Sequence, residues 1–93
     1  MKATLNGKVI AESDDTVIVE GNHYFPRASL REEFVEASDH KSFCPWKGDC
    51  SYLHAVVDGQ RSENAIWYYP DPLEKAVAVK DRVAFWKDVK VSA

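Results

Sequence analysis

Apolar residues fall into short runs broken by Gly, Pro, Asn and Asp, and most of the runs alternate with a period of two. Ala3-Thr4-Leu5 and Lys8-Val9-Ile10-Ala11-Glu12 flank Asn6-Gly7, a dipeptide that suits a two-residue hairpin because both positions accept positive φ. After Asp14-Asp15 comes Thr16-Val17-Ile18-Val19-Glu20, a β-branched run with poor helix propensity. Gly21-Asn22 then turns the chain into His23-Tyr24-Phe25. From Cys50 to Val57 the alternation puts Cys50, Tyr52, His54 and Val56 on one face. Ser51, Leu53, Ala55 and Val57 take the other. Asp58-Gly59 reads as a turn and Gln60 to Asn64 as a polar loop. Ala65-Ile66-Trp67-Tyr68-Tyr69 is an aromatic strand stopped by Pro70-Asp71-Pro72, since proline cannot donate to a ladder. Arg82 to Trp86 and Val89-Lys90-Val91 close the pattern, while Leu73 to Val79 suits either a helical turn or a strand.

One segment has a helical period. Ser29 with Glu32 fits a capping box, and Leu30, Phe34 and Ala37 recur along one face, with Arg31, Glu32, Glu33 and Glu36 left for solvent. A short helix ending near Ala37-Ser38-Asp39 follows, packed on the flank of a sheet. Ser38 to Ser42 reads as a polar connection. Together these signals predict about seven short strands, spaced roughly 8–12 residues apart, in a small sandwich or barrel-like fold. The fold class is mainly β with one short helix, and residues 1–93 form a single domain.

Composition adds one unusual element: three Trp, four Tyr and four Phe, so rings supply much of the buried area. Twelve Lys and Arg against fifteen Asp and Glu leave a formal charge of −3, which argues against nucleic acid or an anionic membrane as a partner. Residues 75–93 hold 5 basic and 2 acidic side chains, but these alternate with apolar residues and read as the solvent face of strands. No apolar run approaches the roughly 18 residues of a membrane span. Met1 to Gly7 lacks the apolar core of a secretory signal, so the expected compartment is the cytoplasm.

The segment Cys44-Pro45-Trp46-Lys47-Gly48-Asp49-Cys50 places a rigid residue, a ring, a cation and a glycine in succession. It can present Trp46 for stacking and aim Lys47 at an anion, or it can be a tight turn whose Trp caps the core. His40, Cys44, Cys50 and His54 form a His-x3-Cys-x5-Cys-x3-His pattern, formally four metal ligands, without the Cys-x-x-Cys half-sites of a zinc knuckle. Two reduced cysteines, at least one buried, is the favoured reading, and no metal or cofactor is expected. As a nucleophile either thiol needs a nearby base or cation, for which Lys47 and His54 are the neighbours in sequence. No dinucleotide or P-loop glycine pattern exists, and Asp14-Asp15 and Glu32-Glu33 lack the apolar setting of an acid–base pair. What remains is an aromatic and cationic set: Tyr24, Arg27, Trp46, Lys47, Tyr52, Trp67 and Tyr68. Trp67 and Tyr68 are adjacent on one strand and must face opposite sides. The set suits a concave site for a small planar or anionic ligand, and it equally suits a ring-rich core with snorkelling cations.

His23-Tyr24-Phe25-Pro26, Cys44-Pro45-Trp46-Lys47-Gly48, Tyr52, Ala65-Ile66-Trp67-Tyr68 with Pro70, and Val83-Ala84-Phe85 occur in that order. In this the chain resembles the family catalogued as domain of unknown function 427, which also carries a nucleotidyltransferase-like label. The likeness runs from Lys8 to Val91. It implies a β-tent type fold with a short helix, similar to methionine sulfoxide reductase B and related domains, and it supplies no established activity. The paired Cys-x-x-Cys knuckles that hold zinc in many β-tent proteins are missing here. Cys50 stands where the family more often has a small residue such as Ala. The label implies a carboxylate pair after a Gly-Ser turn, which this chain also lacks. The expected function is a non-catalytic binding module, with Tyr24, Arg27, Trp46, Lys47, Tyr52 and Trp67 as ligand-binding candidates. The alternatives are an interaction module or homodimer using a sheet edge, and an enzyme using Cys44 or a Tyr/His/Lys acid–base set.

Overall fold

A computed structural model describes all residues from Met1 to Ala93. Nine strands follow in chain order: β1 (Lys2–Leu5), β2 (Lys8–Glu12), β3 (Val17–Val19), β4 (Asn22–Pro26), β5 (Val35–Cys44), β6 (Gly48–Val57), β7 (Gln60–Tyr68), β8 (Arg82–Phe85) and β9 (Lys90–Ser92). They form a three-stranded sheet in the order β2-β1-β9 and a six-stranded sheet in the order β3-β4-β8-β7-β6-β5. Every strand pair is antiparallel. The fold is mainly β and forms one domain, as the alternation predicts.

Local chemistry sets the hairpins. Asn6-Gly7 (φ 52° and 76°) joins β1 to β2, and Asp58-Gly59 (φ 51° and 79°) joins β6 to β7. Positive φ at both positions is what a tight turn between twisted strands requires. The turn between β3 and β4 uses Glu20-Gly21 (φ 53° and 80°), one residue earlier than the expected Gly21-Asn22. Asn22 instead opens β4 and pairs with Val19.

The expected helix from Ser29 to Ala37 does not form. Two single 3-10 turns, Arg27–Ser29 and Glu32–Phe34, stand in its place, and β5 begins at Val35. Ser29 Oγ donates backward to the carbonyl of Pro26 at 2.7 Å, so it does not cap a helix. The Glu32 carboxylate is held by Arg27, with Nη2 to Oε1 at 3.1 Å. Leu30 bridges to Ala11 and is buried, which ties the segment to the small sheet. The polar connection expected at Ser38 to Ser42 is part of β5, with an irregular register between Ala37 and Lys41 opposite β6. Gln60 to Asn64, read as loop, is the first half of β7. The ambiguous Leu73 to Val79 segment is 3-10 from Glu74 to Val79.

The larger core lies between the sheets. Ala3, Leu5 and Ile10 from the small sheet meet Phe25, Ile66, Val83 and Phe85 from the large one. Phe25 and Phe85 pack edge to face, with centroids 5.2 Å apart. A second buried cluster sits on the other face of the large sheet. Tyr24, Cys50, Tyr69 and Ala84 form it with Ala76 and Val79 from the 3-10 turn. The alternation inferred for Cys50 to Val57 is observed: Cys50 and Tyr52 pack on the outer cluster, and Leu53, Ala55 and Val57 on the inner one. Trp67 and Tyr68 divide the same way, Trp67 outward and Tyr68 inward.

Candidate functional site

The outer face of the large sheet holds a recess of about 240 Å³. Its walls are rings: Tyr24 from β4, Tyr52 from β6, Trp67 from β7, Tyr69 just beyond it, and Trp86 just beyond β8. Cys50, Lys47 and Asn22 complete the lining. Register explains the convergence. Tyr52 is directly opposite Trp67, Trp67 is opposite Ala84, and Cys50 and Tyr69 lie two residues along from Tyr52 and Trp67 on the same face.

The rings are fixed by contact and hydrogen bonding. Trp67 meets Tyr24 edge to face at 6.1 Å and donates its indole N–H to the Tyr24 hydroxyl at 3.1 Å. Trp67 also meets Trp86 at 6.0 Å, and the Trp86 indole donates to the Asn64 carbonyl at 2.5 Å. Tyr52 shares a 2.9 Å hydrogen bond with Ser42 and packs on His40 at 4.6 Å. Burial pushes the hydroxyl pKa values of Tyr24, Tyr52 and Tyr69 above the ordinary tyrosine range. All three therefore stay neutral at physiological pH.

Lys47 supplies the charge. The residue is only 7% exposed, in the loop between β5 and β6. Its carbonyl accepts from Leu73 N–H at 2.9 Å, which anchors the loop. The next residue is a glycine because its φ is 107°, a backbone conformation that residues with a side chain rarely adopt. That backbone requirement is the local reason for the Lys-Gly order. The Lys47 ammonium donates to the Glu20 carboxylate and lies 4.9 Å from the Trp46 ring centroid and 5.7 Å from that of Tyr69. Burial disfavours the ammonium, but Glu20 and the surrounding groups outweigh it and hold the pKa above the usual lysine value. The Lys47 hydrogen bond in turn holds Glu20 below the usual carboxylate range.

Of the residues singled out from the sequence, Tyr24, Lys47, Tyr52 and Trp67 come together in this recess. Trp46 stands beside it, 38% exposed, with its ring against the Lys47 ammonium. Arg27 lies elsewhere, in a separate recess of about 260 Å³ with Tyr68, Asp81 and Arg82, bound to Glu32. The sequence reading missed Tyr69, Trp86 and Asn22. Tyr69 was within reach, because it sits two residues from Trp67 on an alternating strand. Trp86 needed the β7–β8 register, which no local signal carries.

The thiols are free, Cys44 partly exposed and Cys50 buried. Cys50 S–H points to the Ser51 carbonyl at 3.7 Å. His54 Nδ1 accepts from Asn64 N–H at 3.0 Å, and His40 lies on Tyr52, so the His-Cys-Cys-His pattern is not gathered into one cluster. A larger cavity of about 530 Å³ lies by the β1–β2 turn, but Asn6, Gln60, Arg61, Ser62, Asp88 and Lys90 give it a polar lining without rings.

Fold and recess together define a small two-sheet antiparallel domain with a ring-walled hollow and one buried cation in its lining. The chain belongs to the family described as domain of unknown function (DUF427), labelled NTP_transf_9, whose model matches residues 1–93. No curated protein matches the chain.

Proposed function

We propose that this domain is a non-catalytic binding module for a small planar ligand that carries an anionic group. The observation that carries the reading is the Lys47 side chain, only 9% exposed beside a recess walled by five rings. A buried cation costs several kcal/mol in lost hydration unless it is paired. Rings supply flat apolar walls, and the ammonium supplies one fixed polar anchor, the usual division of labour in a small-molecule site. A volume of about 240 Å³ suits one or two fused rings.

A panel of planar carboxylates and phosphates, followed by tryptophan fluorescence and melting temperature, tests this. Trp67 and Trp86 line the recess, so a bound ligand changes their emission. Lys47→Met should abolish the response while the chain stays folded. A panel that moves neither emission nor melting temperature overturns the reading.

Two other readings have narrower support. The ten-residue strand β5 is an open edge of the large sheet and favours pairing with a second copy. Its irregular register between Ala37 and Lys41, with Glu36, Asp39 and Lys41 along it, is a device that blunts such edges. Sedimentation at increasing concentration distinguishes the two. For thiol chemistry, Cys44 is the partly exposed thiol, and its alkylation in the folded chain much faster than that of a free thiol would favour an enzyme.

A further inference from the structure

Glu20 stands out among the paired carboxylates. Its partner Lys47 has a side chain only 9% exposed, whereas the Glu20 side chain is 52% exposed. The cations of the other ion pairs, such as Arg61 with Glu36 and Arg82 with Asp15, are more open to water. An ammonium has three donors and no acceptor, so it needs an oxygen partner once water is removed. In this chain that partner is a carboxylate that reaches in from the surface at the β3–β4 turn.

We infer that Glu20 occupies the position of the ligand's own carboxylate, so that a planar carboxylic acid enters by exchanging with Glu20 on the Lys47 ammonium. The inference rests on the reading of the recess as a binding site and names the anionic group. Exchange keeps the charge balance of the recess, because one carboxylate replaces another on the same ammonium. On release Glu20 gives up its bond to the ammonium but is readily rehydrated, since more than half of its side chain already meets water. The ligand gains its ion pair and ring contacts with Trp67, Tyr24 and Tyr52 beyond it. A neutral planar molecule gains only the ring contacts and has no need to displace Glu20. Glu20 is thus an internal competitor that sets how tightly acids bind.

The test compares β-naphthoate with its neutral isostere β-naphthamide by amide NMR titration of the full chain, Glu20→Gln and Lys47→Met. Melting curves establish that each variant is folded, and Lys47→Ala replaces Lys47→Met if the latter is not. Removing the competitor should tighten β-naphthoate about tenfold, the scale of one charge-assisted hydrogen bond. β-Naphthamide should change by less than about twofold, and loss of Lys47 should abolish the preference for the acid. If Glu20→Gln leaves β-naphthoate unchanged or weaker, the exchange is wrong while the binding reading stands. If the amide binds more tightly than the acid to both the unaltered chain and Glu20→Gln, the recess takes neutral ligands and the exchange fails. If neither compound shifts recess amides in any chain, the binding reading fails as well.

Discussion

The two faces of the six-stranded sheet are built from alternate residues of the same strands, yet they bury surface in different ways. Inward, Phe25, Ile66, Val83 and Phe85 bring no polar side-chain atom, and the three-stranded sheet seals them. Outward, Tyr24, Trp67 and Tyr69 bring a hydroxyl or an indole N–H each, covered in part by the 3-10 turn Glu74–Val79. Tyr24 is as buried as Phe25, at 1% and 0% exposure, so the contrast is one of chemistry more than depth. No buried side-chain nitrogen or oxygen lacks a hydrogen-bond partner, so the polar face leaves no sealed group orphaned. The inner face holds the larger apolar core. The outer face spends part of its burial on hydrogen-bonded rings around an open recess.

Phe25→Ala provides the largest test of that division. It should lower the unfolding free energy by about 3–5 kcal/mol in denaturant titration, the cost of a large cavity in a sealed apolar layer. A loss below about 1 kcal/mol would mean that the inner layer collapses freely and is not the principal core.

Alkaline unfolding is next and belongs to the outer face. Burial raises the pKa values of Tyr24, Tyr52 and Tyr69, so above the ordinary tyrosine value of about 10 the unfolded chain loses protons that the folded chain keeps. Their contribution is fully present below about pH 10 and is lost as pH rises through the folded values. Tyrosinate absorbance from these residues should rise together with loss of structure. Titration of all three at ordinary pH in a fully folded chain would show that water reaches the outer face freely.

Tyr24→Phe should cost about 1 kcal/mol, since it removes the acceptor of the Trp67 indole and leaves the packing in place. Compared with Phe25→Ala, it measures the two faces at neighbouring residues. Phe43→Ser on β5, where Phe43 is 64% exposed, should stay within about 0.5 kcal/mol of the unaltered chain. A larger loss, or one that grows with protein concentration, would show that β5 is covered in solution.

What the sequence made legible follows the range of the interactions. The turns Asn6-Gly7 and Asp58-Gly59 and the two faces of β6 are local facts, and they were readable. The helix at Ser29 was lost to two local contacts and one tertiary contact: Ser29 turns back to Pro26, Arg27 takes Glu32, and Leu30 enters the core beside Ala11. The polar start of β7 resembled a loop because only β6 pairs with it there, and β8 joins the strand only at Ile66 and Trp67. For the recess, residue type identified Lys47, Trp67, Tyr24 and Tyr52 but wrongly grouped Arg27 with them. Arg27 lies on a strand-to-turn junction that leads into the other recess, and strand register alone separates the two.

The Glu20 turn has a consequence for how this chain responds to selection for stability. Glu20 holds φ 53°, a left-handed conformation that Asn, Asp or Gly adopts more readily than Glu. Glu20→Asn therefore relaxes the hairpin backbone while it shortens the side chain that reaches Lys47. The backbone gains from that substitution, but the buried Lys47 ammonium loses its carboxylate partner, and the second effect is the larger. Backbone strain and the ion pair with buried Lys47 therefore pull in opposite directions at this one residue.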